Sequence, residues 1–177
     1  MPVVDCQCHW YPRSFFDAHL RRDDYPRARR HDGALVYELD AKSPIPIRDD
    51  HVDLDRLLEQ LRTAGIDVAV SSPAALGVDA LPAAEAREVA ELLNEEQAGA
   101  ERRHPGRFYG LATLPLADTD AALAVLDDAV GRLGLRGVYL HSNVNGEPID
   151  AERLRPVYAR IADWDVPIFL HPTRTVM

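Results

Sequence analysis

From residue 50 onward the chain repeats one pattern: an apolar-striped helix, a glycine or proline stop, and a short apolar strand. Leu54, Leu57, Leu58 and Leu61 recur at i, i+3, i+4 and i+7, which is one helix face. Gly65 stops that helix, and residues 66–71 read as a short buried strand. The pattern returns with a helix over 83–104, carrying Val89, Leu92 and Leu93, then Pro105-Gly106 and a strand over 107–113. It returns again after Asp118, with Leu123, Leu126, Val130 and Leu133 facing inward, Gly134 as the stop, and a strand over 136–140. The last turn of the cycle carries Leu154, Val157, Tyr158 and Ile161, with Pro156 near the helix start, and ends in a strand over 166–170. Strands alternating with helices at roughly 30 residues per unit form βαβ crossovers and a parallel sheet.

Val3 to Cys8 adds a strand before the repeat. Five parallel strands, adjacent in chain order, are about five units of a (β/α)8 TIM barrel, which takes roughly 250 residues when complete. The expectation is one barrel domain over 1–177, C-terminally incomplete, with an insertion over about 21–50. In that insertion, Arg21-Arg22-Asp23-Asp24 and the run from Arg27 to Asp32 read as charged loop. Residues 34–39 alternate like a strand, and Pro44-Ile45-Pro46-Ile47 would be its edge partner, making a small hairpin. An open doubly wound sheet is the rival fold. It calls for a glycine-rich turn after the first strand, and His9-Trp10-Tyr11-Pro12-Arg13 has no glycine.

The net charge of −9 speaks against nucleic acid and against anionic membrane surfaces as partners. No apolar run approaches the ~20 residues that span a bilayer. The N-terminus lacks the basic and apolar segments of a signal peptide. Cys6 and Cys8 are too close along a strand to staple the fold, which fits a reducing cytoplasm.

On a strand, alternate residues share a face, so Asp5, Gln7 and His9 point one way and Cys6 and Cys8 the other. His9 then emerges at the C-terminal mouth, where barrel active sites lie. His171 stands just past the fifth strand, and barrel closure would bring it to the same mouth. Two readings compete for His9: a residue that merely caps its strand, and a zinc knot of Cys6, Cys8 and His9. His141 and Asn143 follow the fourth strand and could touch substrate. Arg13 and Arg48 could meet a carboxylate, and Trp10 and Trp164 read as packing residues. His19, His31, His51 and His104 carry no assigned role.

These residues resemble the amidohydrolase-related enzymes that include aminocarboxymuconate-semialdehyde decarboxylase and γ-resorcylate decarboxylase. Their opening Asp-x-His-x-His-x-x-Pro corresponds to Asp5-Cys6-Gln7-Cys8-His9-Trp10-Tyr11-Pro12. The segment Pro105 to Pro115 is similar to their Pro-x-Arg-Phe-x-Gly-x-x-x-Leu-Pro. Gly137 to Leu140, Asn145-Gly146, Asp150 and Pro156 to Tyr158 follow, and His171-Pro172 closes the fifth strand. The resemblance implies a divalent metal, zinc in the first instance, on His9 and His171, with Gln7 as a weaker third ligand where the family has histidine or glutamate. The family's later catalytic histidine and metal-binding aspartate have no counterpart in this sequence, so the catalytic residues are expected after residue 177. An arginine that some of these decarboxylases carry in the insertion is also missing, with Glu38 nearby instead.

The implied activity is non-oxidative decarboxylation of a small unsaturated or aromatic carboxylic acid. Alternatives are metal-dependent hydrolysis of a lactone, ester or amide, and a non-catalytic remnant or interaction module. A five-strand arc leaves two open edges, so a homo-oligomer is expected.

Overall fold

The five predicted parallel strands form an arc in chain order. The computed structural model describes residues 1–73 and 77–173. It begins with β1 (Val4–Cys8) and α1 (Arg13–Leu20), followed by β2 (Arg27–His31), β3 (Ala34–Glu38) and β4 (Pro44–Ile47). Next come α2 (Leu54–Thr63), β5 (Val68–Ser71), α3 (Ala83–Arg103), β6 (Phe108–Gly110) and β7 (Ala112–Thr113). The chain then runs through α4 (Thr119–Asp127), β8 (Val138–His141), β9 (Asn143–Val144), β10 (Glu147–Pro148), α5 (Arg155–Asp163) and β11 (Ile168–His171).

Parallel pairing joins β1 to β5, β5 to β6, β7 to β8 and β8 to β11. The third strand position is split at Leu111, whose N–H still reaches the Ser71 carbonyl at 3.0 Å. Beyond the split, Asn94 of α3 serves the Thr113 backbone. Its Nδ2 donates to the Thr113 carbonyl (3.0 Å) and its Oδ1 accepts from the Thr113 N–H (2.8 Å).

Alternation along the strands builds two layers. Val70, Leu111, Tyr139 and Phe169 cluster on the inner face of the arc. Ala69 and Phe108 pack outward against Leu54 and Leu58 of α2, and Ala112, Val138 and Leu140 join the larger helix-side core. Asp53 caps α2 by accepting from the Arg56 N–H (3.1 Å), and Gly65 follows it at φ +79°, a backbone state that glycine adopts without strain. Pro156 sits in the first turn of α5, as its missing N–H requires.

Three expectations need correction. Leu123, Val130 and Leu133 do pack inward against the core, but they are only partly buried. After α4 the chain opens into a π-helical turn over Asp128–Arg132, so the buried set is Ala122, Val125, Leu126 and Ala129. Leu92 is half-buried, while Val89 and Leu93 carry the buried face of α3. The insertion is a three-stranded antiparallel sheet rather than a hairpin, because the charged run from Arg27 is itself a strand. Asp32 (φ +49°) and Gly33 (φ +84°) make a two-residue turn between the paired His31 and Ala34. Ala28 is fully buried, while Arg27 reaches out to Glu38 at 2.7 Å. Pro44 and Pro46 do lie on the edge strand.

Among the described residues no strand pairs with the outer edge of β1 or of β11. Val4, Ile168 and Leu170 are 50%, 43% and 54% exposed there. Among the described residues no helix is long and apolar enough to cross a membrane.

Candidate metal centre

A bulge delivers His9 to the mouth. Asp5 pairs with Ala69 and Cys8 with Ser71, so three steps of β1 span two of β5. Ala69 and Ser71 share a face, so Asp5 and Cys8 share it too. The predicted grouping of Asp5 with His9 therefore fails, because the alternation slips at the bulge. Cys8 is buried on the helix side, and its thiol donates to the Val70 carbonyl at 3.3 Å. Burial pushes the Cys8 thiol up to about 12, so it stays protonated, and Cys6 is exposed. With Cys8 packed on the helix side and Cys6 exposed, Cys6, Cys8 and His9 do not converge on one point, so the geometry does not form the expected knot.

His9 and His171 come together. Their ring centroids are 5.6 Å apart, edge to face at 69°. Two imidazoles on one tetrahedral ion, with metal–nitrogen bonds of about 2.0–2.1 Å, place their centroids about 5–6 Å apart. Both rings are also tied to the backbone. His9 Nδ1 lies 3.1 Å from the Ser72 carbonyl and His171 Nδ1 lies 2.8 Å from the Pro172 carbonyl. An N–H on each Nδ1 leaves the Nε2 lone pair for a metal. Burial holds the His9 pKa below its ordinary value, which favours the neutral imidazole.

Gln7 is exposed, and among the described residues its side chain makes no hydrogen bond to either histidine. Among the described residues no group of three or more His, Cys, Asp or Glu side chains converges on one point. Among the described residues the two imidazoles are the candidate donors that meet at this mouth.

His141 stands beside them, in register with His171 and with its ring centroid 6.3 Å away. Its Nε2 lies 2.5 Å from the Tyr139 hydroxyl. Burial raises the Tyr139 pKa, so the phenol keeps its proton. On the other side Gly77 abuts the ring: a Cβ there would sit 2.3 Å from Cε1 and 2.7 Å from Nδ1. Asn143 accepts from the Gly146 N–H (2.9 Å), closing the turn between β9 and β10. Arg48 is tied to Asp50, and Arg13 lies on α1 outside the mouth. Trp10 is buried edge to face on Phe108, whereas Trp164 is 39% exposed and donates to Asp127.

Two residues at this mouth had no separate signal in the sequence. Tyr139 read as one more apolar strand residue; its i, i+2 relation to His141 is the cue that places both on the inner face. Asp79 accepts from the Ala117 N–H at 2.9 Å, and burial pushes its carboxyl up to about 6. It shares a small cavity with Gly77, Tyr139 and His141.

The arrangement has relatives. The 2-amino-3-carboxymuconate-6-semialdehyde decarboxylase of Dictyostelium discoideum is 32% identical over 126 residues, 70% of this chain and 35% of that protein. The γ-resorcylate decarboxylase of Rhizobium radiobacter is 34% identical over 125 residues, 67% of this chain and 38% of that protein. Among solved structures, apo IDCase of Metarhizium anisopliae superposes with a TM-score of 0.83 at 28% identity, covering 97% of this chain and 50% of its own. A dihydroxybenzoic acid decarboxylase from a Polaromonas species, solved with bound manganese and the inhibitor 2-nitroresorcinol, gives 0.66 at 27% identity, over 72% of this chain and 41% of its own. The chain therefore spans about a third to a half of the length of these relatives. The family model described as amidohydrolase matches residues 4–177, so the chain belongs to the amidohydrolase family.

Proposed function

We propose that this chain supplies half of the metal site of a decarboxylase acting on a small aromatic or unsaturated carboxylic acid, with His9 and His171 as ligands to one divalent ion. The observation that carries the reading is the pair of rings 5.6 Å apart, each with Nδ1 against a backbone carbonyl. Relatives named as decarboxylases support the reaction, and manganese in the Polaromonas relative supports a divalent ion. Zinc is the finer choice from the imidazole ligands. Gln7, two residues before His9, would be a weak third ligand.

The ion, when bound, supplies Lewis-acid activation of the substrate or of a water. The chain's own residues do the rest. The Ser72 and Pro172 carbonyls fix the two rings. Val70, Leu111, Tyr139 and Phe169 floor the mouth with mainly apolar surface, which excludes water from the aromatic body of a substrate. His141, held by Tyr139, faces the same mouth and would orient the acid group, with Asn143 beyond it at the rim.

The test is carbon dioxide release from γ-resorcylate by the protein loaded with manganese or zinc. Release that is abolished by chelation and by His171→Ala supports the reading. Turnover that is indifferent to both would overturn it.

A further inference from the structure

A second cleft, of about 620 Å³, opens between α1, the β2–β4 sheet and the start of α2, and neither His9 nor His171 lines it. Its walls carry Arg13, Arg30, Arg48 and Arg56, and Phe16, Leu35 and Ile47 give it an apolar floor. Two of these arginines are already committed. Arg48 Nε holds Asp50 Oδ1 at 2.9 Å, and Arg56 reaches Asp49 at 3.3 Å. Among the described residues Arg13 and Arg30 have no ion-pair partner. Asp17 is the remaining carboxylate, so four arginines face three aspartates and the cleft is positive by one charge in a chain of net charge −9. The volume lies within the range of small-molecule sites, roughly 300–1,000 Å³. Guanidinium groups bind carboxylate and phosphate bidentately, while an apolar floor beside them selects for a ligand with a flat hydrocarbon body.

We infer that this cleft is a binding site for a small organic anion, a carboxylate or phosphate carried on an apolar body, with its acid group between Arg13 and Arg30 and its body over Leu35 and Ile47. The site is separate from the metal centre and does not depend on the proposed reaction.

The experiment is a titration of the metal-free chain, under chelator, with benzoate, phenyl phosphate and inorganic phosphate in parallel. Binding is followed by calorimetry and by the amide resonances of residues 13, 30, 35 and 47. The expected result is saturable binding of benzoate or phenyl phosphate, whichever acid group the arginines prefer, with inorganic phosphate weaker because it leaves the floor unused. Arg13→Gln with Arg30→Gln should weaken binding at least tenfold, and Arg30→Glu alone should weaken it further than Arg30→Gln. All three side-chain changes are on exposed positions, and His171→Ala should leave the titration unchanged. Three results would each overturn the inference: no saturable shift at these resonances, inorganic phosphate binding as tightly as the aromatic acids, or affinity that survives the double arginine variant.

Discussion

His9 and His171 stand at opposite ends of a five-strand arc, yet their rings lie 5.6 Å apart. They are 162 positions apart in sequence (171 minus 9), so nothing local brings them together. The curvature of the sheet does it, and the bulge in β1 supplies the phase that turns His9 inward while Cys8 packs outward.

The ring of His141 is held between Gly77 and the Tyr139 hydroxyl, and that clamp can be broken deliberately. Gly77→Ala puts a methyl where Cε1 of His141 already lies, at 2.3 Å. We expect a loss of about 1–3 kcal/mol in urea unfolding, the usual range for overpacking. In an His141→Ala background the same substitution should cost far less, and equal costs in the two backgrounds would show that the clamp is not what Gly77 is for.

Asn94 is the device that lets the third strand break and continue. Asn94→Ala strands a buried N–H and a buried carbonyl of Thr113. An unmet buried polar group costs about 1–3 kcal/mol, so the variant should lose at least 2 kcal/mol by chemical denaturation, with Asn94→Asp intermediate. A loss below 0.5 kcal/mol would mean that other partners serve Thr113.

Much of this architecture is legible in the sequence. The helix stripes, Gly65, Pro105-Gly106 and Gly134 mark the repeating units, and Pro156 marks a helix start, because each acts through local geometry. The three-stranded insertion is less legible. Its signal is the Asp32-Gly33 turn, but the arginines around Ala28 mask a strand whose one buried face is small. The β1 bulge is not legible, since a slip of one residue leaves no trace in composition. His9, His171 and His141 are found from strand ends alone, whereas Asp79 needs the fold, because only burial makes its carboxyl unusual.

Acid should destabilise the fold partly through His19. This side chain is fully buried against Phe15 and Tyr37, and burial pushes its pKa down to about 4 from an ordinary 6.5. The unfolded chain therefore binds the proton more readily between these values. The neutral form's contribution is fully present above pH 6.5 and is lost as pH falls toward 4, by about 3 kcal/mol in all. His19→Phe should flatten this part of the stability profile. An unchanged slope in the variant would assign the acid sensitivity to other groups.

The open edges should make the isolated chain self-associate. Val4 on β1 and Ile168 and Leu170 on β11 are exposed beside unpaired backbone. Sedimentation velocity should show concentration-dependent oligomers, reduced by Ile168→Lys with Leu170→Lys. A dispersed monomer at all concentrations would count against this.

The shared metal site is tested most directly by calorimetric titration of the metal-free chain with zinc and with manganese, in the parent protein and in the His9→Ala and His171→Ala variants. Two imidazoles with only a weak third donor predict one weak site per chain, lost in either variant while the fold, monitored by circular dichroism, is kept. Tight binding that survives His171→Ala would contradict the account, because the ion would then be held by residues other than the pair that meets at the mouth.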